Sequence, residues 1–171
     1  MSQHTHDIKQ ISELAKESQK VIFVTGIFNI VHPGHLRLLK FAKECGDILV
    51  VGVIKTGMSQ EIIESQYRLE GIQSIGFVDY AFILNEPIED FIVQLKPYAI
   101  VKGKEHELNY NPEISILESY GGKLIFGSGD IIFSSSDLLS KEFNELNFST
   151  IKKPKDFPIR HNFTMESIKE I

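Results

Sequence analysis

The 171-residue chain contains a single cysteine, Cys45. One thiol forms no internal disulfide and no cysteine-based metal site, and such sparing use suits a reducing cytoplasm. Long apolar runs are also missing: the longest are a few residues, against the roughly 20 that span a bilayer. The amino-terminal stretch MSQHTHDIKQ carries no apolar signal core, so neither export nor membrane insertion is expected. Clustered basic residues are absent as well. Lys plus Arg number 18 against 23 Asp plus Glu, a formal net charge of −5, whereas a nucleic-acid-binding domain normally shows a basic face. That balance still permits a small anionic ligand, because backbone amides and a few placed cations hold phosphates locally. With 42% hydrophobic and 24% charged residues, the chain has the material for one globular domain with a real core. No internal repeat or low-complexity tract is visible.

What is present alternates. Val21 to Thr25 (VIFVT) reads as a buried strand closed by Gly26. From Pro33 to Gly46, Leu36, Leu39, Phe41 and Ala42 recur at roughly helical spacing. Asp47 to Ile54 is a second strand. Ser59 to Ile75 reads as a helix with Ile62, Ile63, Tyr67, Leu69 and Ile72 inward, its end weakened by Gly71. Val78 to Leu84, Tyr98 to Lys102 and Lys123 to Phe126 supply three more strands. Helices are expected over Ile88 to Leu95, Pro112 to Tyr120 and Ser136 to Leu146. Such alternation predicts an α/β fold with a parallel sheet. Residues 1–19 form an N-terminal helical segment, 20–147 the domain, and 148–171 a tail. Pro154 and Pro158 among lysines, followed by a helix-like pattern from Thr164, mark that tail as a linker toward a further element or as a segment folded back over the domain.

Chemistry concentrates in TGIFNIVHPGHLRLL, Thr25 to Leu39. His32 and His35 sit three apart, with Pro33 and Gly34 between them, at a strand-to-helix junction. With Pro33 in the first turn, both imidazoles lie near the helix amino terminus, where unsatisfied N–H groups and the dipole attract an anion. Gly34, and Gly26 at the strand end, would let a phosphate or base approach the backbone closely. Together these make a phosphate cradle. Zinc is disfavoured, because the spacing is not that of HExxH and no Glu, Asp or Cys stands nearby to complete a ligand set. No metal ligands are therefore expected. Cys45 reads as a small apolar residue at a helix end.

The stretch GIFNIVHPGH resembles the G-x-F-D-x-x-H-x-G-H signature of the cytidylyltransferase-like nucleotidyltransferases. That superfamily includes glycerol-3-phosphate cytidylyltransferase and the adenylyltransferase domain that makes ADP-heptose. The similarity runs over about residues 20 to 145. Arg68, followed by IGFVDY, is similar to the family's arginine helix and "VD" strand. Val101-Lys102-Gly103 resembles its V-K-G, and Tyr120-Gly121-Gly122-Lys123 then FSSSDLL its late "GG" and Ser/Thr motif. The order and spacing fit the sugar-phosphate branch best. Two departures stand out: Asn29 occupies the usual Asp position, and IKTGMSQEIIESQYR is shorter than its counterpart, with Lys55 standing in for a missing lysine.

The resemblance implies a Rossmann-like, five-stranded parallel sheet of order 3-2-1-4-5 with helices on both faces, so that residues 20–147 become a nucleotidyltransferase domain. It implies catalytic roles for His32, His35, Lys102 and Arg68, with Arg68 clamping a triphosphate. Nucleotide and phosphate contacts would come from Thr25, Gly26, Ile27, Phe28, Asn29, Gly34, Lys55 and Gly103. Phe28 would pack under the loop and meet phosphate through its N–H. Ser134, Ser135 and Ser136 read either as phosphate ligands or as a helix cap. Mg²⁺ would arrive with the nucleoside triphosphate (NTP), and the second substrate would be a phosphorylated sugar or polyol. A homodimer and a covalent fusion to a sugar kinase are further implications. Three functions follow: a transferase of the ADP-heptose type, a CTP:polyol-phosphate cytidylyltransferase, or a nucleotide-binding module without turnover.

Overall fold

The computed structural model describes residues 3–55 and 62–127. Its elements run in the order α1 (Gln3–Leu14), β1 (Val21–Gly26), α2 (Pro33–Glu44), β2 (Ile48–Ile54), α3 (Ser65–Gln73), β3 (Tyr80–Leu84), α4 (Ile88–Leu95), β4 (Ala99–Gly103), a 3₁₀ turn (Lys104–His106), α5 (Glu113–Tyr120) and β5 (Lys123–Gly127). The five strands form one sheet of order β3-β2-β1-β4-β5, with parallel pairing throughout. The expected helix at Ser136 to Leu146, Ser134 to Ser136 and the tail 148–171 lie outside the described residues.

Strand alternation sorts the apolar residues into two cores. Ile22, Val24, Leu49, Val51, Val53, Ala99 and Val101 face α2 and α3, meeting Leu39, Ala42, Leu69 and Ile72. Phe23, Val50, Phe82 and Ile100 face the other way, toward Ile11 of α1, Phe91 and Ile92 of α4 and Leu117 of α5. Both faces of the sheet are covered, which is why its central strands read as continuous apolar runs instead of alternating ones. Phe23 anchors the second core, with ring centroids 6.3 Å from Phe82 and 5.2 Å from Phe91. At the end of α5, Gly121 takes a left-handed φ of 82°, and Gly122 donates to the Leu117 carbonyl at 2.8 Å. A side chain at Gly121 would strain that turn.

Two elements differ from expectation. The helix predicted over Ser59 to Ile75 is described only from Ser65, after an extended Glu64. Residues 56–61 lie outside the described part. Ile62 and Ile63 do not extend the helix, because the Ile62 N–H goes to the Asn29 side chain and the Ile63 carbonyl accepts from Arg68. In consequence Tyr67 is 64% exposed and Ile62 52% exposed, and neither faces inward as the periodicity suggested. The third strand starts at Tyr80, two residues after Val78. Asp79 ends the preceding turn by accepting from the Leu49 N–H at 2.6 Å and from Lys43 at 2.5 Å. Leu36 of α2 is likewise exposed, at 40%. Cys45 caps α2 and packs against the first core.

Because Phe23 is fully buried in the central strand and touches two other rings, Phe23→Ala leaves a large cavity. Urea denaturation should show a loss of about 3–5 kcal/mol.

Candidate active site

Strands β1 and β4 are hydrogen-bonded neighbours, with Ile22 opposite Ala99 and Phe23 opposite Ile100. They end at Gly26 and Gly103 on the same edge of the sheet. From there the chain leaves in opposite senses: α2 contributes to one core and α5 to the other. Such a switch point opens a crevice beyond the strand ends, the place where open α/β sheets bind ligands.

The loop after β1 turns at Phe28, which has a left-handed φ of 52°. That conformation is uncommon for a bulky residue. It sends the Phe28 ring back over Gly26, where a Cβ would lie 2.9 Å from Phe28 Cζ. The ring then meets His35 edge-on, with centroids 5.0 Å apart. His35 in turn stacks on His32 at 3.8 Å, with the planes inclined by 24°.

His32 caps α2. Its backbone is extended and its Nδ1 accepts from the Gly34 N–H at 3.1 Å. Gly34 is needed there, since a Cβ would lie 2.9 Å from His32 Cε1. The side-chain space at Gly26 and Gly34 is thus taken by the Phe28 and His32 rings, so any larger residue there would displace a ring.

Hydrogen bonding sets the tautomers. An Nδ1 that accepts leaves the proton of neutral His32 on Nε2. His35 Nδ1 lies 3.1 Å from the Ile30 carbonyl, which only accepts, so this nitrogen carries the proton and Nε2 keeps its lone pair. Burial lowers the His32 pKa. Burial first, then the neighbouring His32, push that of His35 down to about 4, with the Ile30 bond opposing. Both rings are therefore neutral at pH 7 in the ligand-free protein.

Lys102 stands one residue before the end of the fourth strand, and its ammonium is held by Glu113 Oε1 at 2.6 Å and Asn111 Oδ1 at 2.9 Å. Asn111 also donates to the carbonyls of His106 and Asn109. The lysine thereby secures the loop between β4 and α5. Glu113 and Asn111, both buried, were missed in the sequence. A lysine on a buried strand requires a partner, and Asn-Pro-Glu before a helix is where one could have been sought.

Arg68 is 2% exposed. Its guanidinium donates to three backbone carbonyls: Ile27, Ile54 at 3.0 Å and Ile63 at 2.8 Å. Asn29 is buried, and its Oδ1 accepts the Ile62 N–H at 3.2 Å. Thr25 and Ile27 are half-buried beside these groups along the chain, whereas Lys55 is exposed at the end of β2. Over Gly103 folds the Glu105 side chain, whose Oε1 would stand 2.2 Å from a Cβ there.

This combination, a doubly covered parallel sheet with a histidine-capped helix at its switch point, defines a Rossmann-like α/β domain. The chain belongs to the cytidylyltransferase-like family, whose family model matches residues 23–126. It is 36% identical over 115 residues to the bifunctional protein HldE of Campylobacter concisus, which covers 60% of this chain and 24% of that protein. It is 29% identical over 130 residues to the D-beta-D-heptose 1-phosphate adenylyltransferase of Bordetella bronchiseptica, covering 71% of this chain and 80% of that one. The chain thus spans about a quarter of the bifunctional relative and most of the other. The crystal structure of the lipopolysaccharide core biosynthesis protein from Thermoplasma volcanium superposes with a TM-score of 0.57 at 25% identity, covering 66% of this chain and 98% of that chain. Among the described residues, no helix is long and apolar enough to cross a membrane.

Since His35 takes up its proton only near pH 4 in the folded state, against about 6.5 in an unfolded chain, the unfolded state binds more protons between those values. Stability contributed by this residue is complete above pH 6.5 and declines as pH falls toward 4. Urea midpoints measured at pH 7, 5.5 and 4.5 should drop less steeply in His35→Gln than in the parent chain.

Proposed function

We propose that this chain is a nucleotidyltransferase that moves the adenylyl group of Mg²⁺-bound ATP to a heptose 1-phosphate-like sugar phosphate, releasing pyrophosphate. The product would be an activated precursor for surface polysaccharide. The observation that carries this reading is the stacked His32–His35 pair at the amino terminus of α2, beside the switch point of the sheet. The relatives' names support the sugar phosphate and the adenylyl donor.

In the reaction, an acceptor phosphate oxygen attacks the α-phosphorus in line while the bond from that phosphorus to the bridging oxygen breaks, and pyrophosphate leaves with the electron pair. The nucleophile is already an anion near neutral pH, its second pKa being about 6, so no general base is needed. The site must align the reactants and offset charge on the phosphate oxygens. His32, with its proton on Nε2, and the positive end of α2 suit that work. His35 changes state: a phosphate oxygen beside its Nε2 favours the imidazolium, so the ring takes up a proton as the anion binds and then donates to it. Mg²⁺ belongs to the triphosphate substrate and is coordinated largely by phosphate oxygens and water.

The alternative of a binding module without turnover rests on Asn29 in the position of an Asp and on the short segment from Lys55 to Arg68. The Asn29 Oδ1 receives a backbone N–H, a role that either side chain fills, so that departure does not argue for a dead site. Homodimerisation, and a sugar kinase as the source of the acceptor, belong to the same reading.

The deciding experiment is pyrophosphate release from ATP, CTP, GTP and UTP, each with heptose 1-phosphate or glycerol 3-phosphate as acceptor. ATP with the heptose phosphate should stand out. CTP with glycerol 3-phosphate would select the cytidylyltransferase instead, and nucleotide binding with no release from any pair would select the module. With the productive pair, His35→Ala should lower kcat/KM by roughly 10²–10³-fold while the melting temperature shows a folded protein.

A further inference from the structure

Arg68 is a charge taken almost wholly out of water, and such burial is costly unless every donor finds an acceptor. Its acceptors come from three separate stretches of backbone: Ile27 in the loop after β1, Ile54 at the end of β2, and Ile63 just before α3. Ile27 and Ile63 lie outside any strand or helix, and Ile54 is the last residue of β2. The guanidinium reaches these separated groups from two nitrogens of one rigid planar fork, Nε and Nη1, whereas an ammonium carries its donors on a single atom. A second tie lies close by, where the Ile62 N–H donates to Asn29 Oδ1. A third contact follows along α3: a Cβ on Gly71 would be 3.8 Å from Val31 Cγ2. The stretch from Ile62 to Gly71 therefore lies against the loop at residues 27, 29 and 31. Between the two hydrogen-bonded ties sits Phe28 in its left-handed conformation, and Ile30, the next residue along, supplies the carbonyl that orients His35.

We propose that Arg68 is a positioning residue that, together with Asn29, clasps the loop 27–30 against the 62–68 segment and so holds Phe28, His35 and His32 in their stacked arrangement. On this view its Nε and Nη1 act on the protein's own backbone, and the triphosphate feels Arg68 through the histidine pair. The catalytic consequence rests on the nucleotidyltransferase reading, whereas the clasp itself does not.

The test is the ring titration of His35 followed by NMR in the whole chain without substrate, alongside kcat and KM where turnover is measured. Arg68→Lys keeps the charge but loses the fork. With the clasp loosened, the His35 ring becomes more hydrated and its titration moves up toward the ordinary value of about 6.5, while kcat falls tenfold or more with a smaller change in the KM for nucleotide. Where Arg68→Lys fails to fold, Asn29→Ala cuts the second tie with Arg68 in place, and the same upward movement is expected. A His35 titration that stays at its parent value in the folded variant overturns the proposal. Loss of nucleotide binding in Arg68→Ala, restored by Arg68→Lys with that titration unmoved, would instead make Arg68 a direct phosphate ligand. Because the titration needs no substrate, an error in the assigned reaction would leave its outcome intact.

Discussion

The backbone of Phe28, turned into the left-handed region immediately after the central strand, is the constraint from which the rest of the site follows. A bulky residue adopts this conformation only where its surroundings over-determine it. Here the ring fills the space left by Gly26 and meets His35, while its neighbours Ile27 and Asn29 are tied to the 62–68 segment. Relaxing that turn would free the ring, and the histidine stack would lose its support on one side. The glycines that look permissive in the sequence are in this sense the opposite of permissive. Each is small because a neighbouring ring occupies the place of its side chain.

The two histidines share a helix terminus but differ in chemistry, and the difference comes from single hydrogen bonds. His32 accepts from a backbone N–H through Nδ1, whereas His35 directs the same atom at a carbonyl. One ring therefore has its proton, and the other its lone pair, on Nε2. Burial favours the neutral form of both rings, so an arriving anion meets a pair whose charge can still increase. A site of fixed cations would have to be stabilised against mutual repulsion before any ligand came.

Much of the fold was legible because a parallel sheet covered on both faces needs short β-rich apolar runs, and this chain has five of them separated by helical periodicities. Strand order was not readable from periodicity. It came from the likeness of GIFNIVHPGH, V-K-G and the paired glycines to a known family, and the sheet has that order. The errors fall where backbone groups are claimed by distant partners. Ile62 and Ile63 carry helical periodicity, but their N–H and carbonyl are used by Asn29 and Arg68. Tyr67 is apolar enough for an inward face, yet the buried face of the short helix is made by Arg68, Leu69 and Ile72.

By itself the sequence determined the alternation of strands and helices and the presence of a histidine-capped helix behind a glycine, because each depends on residues adjacent in the chain. Only the tertiary structure decided what Gly26 and Gly34 make room for, which nitrogen of each histidine holds its proton, and which partners Lys102 and Arg68 take. Those outcomes depend on groups up to 41 positions away, as between Arg68 and the Ile27 carbonyl. A buried cation is satisfied by whichever acceptors the fold brings within reach, and local spacing carries no record of them.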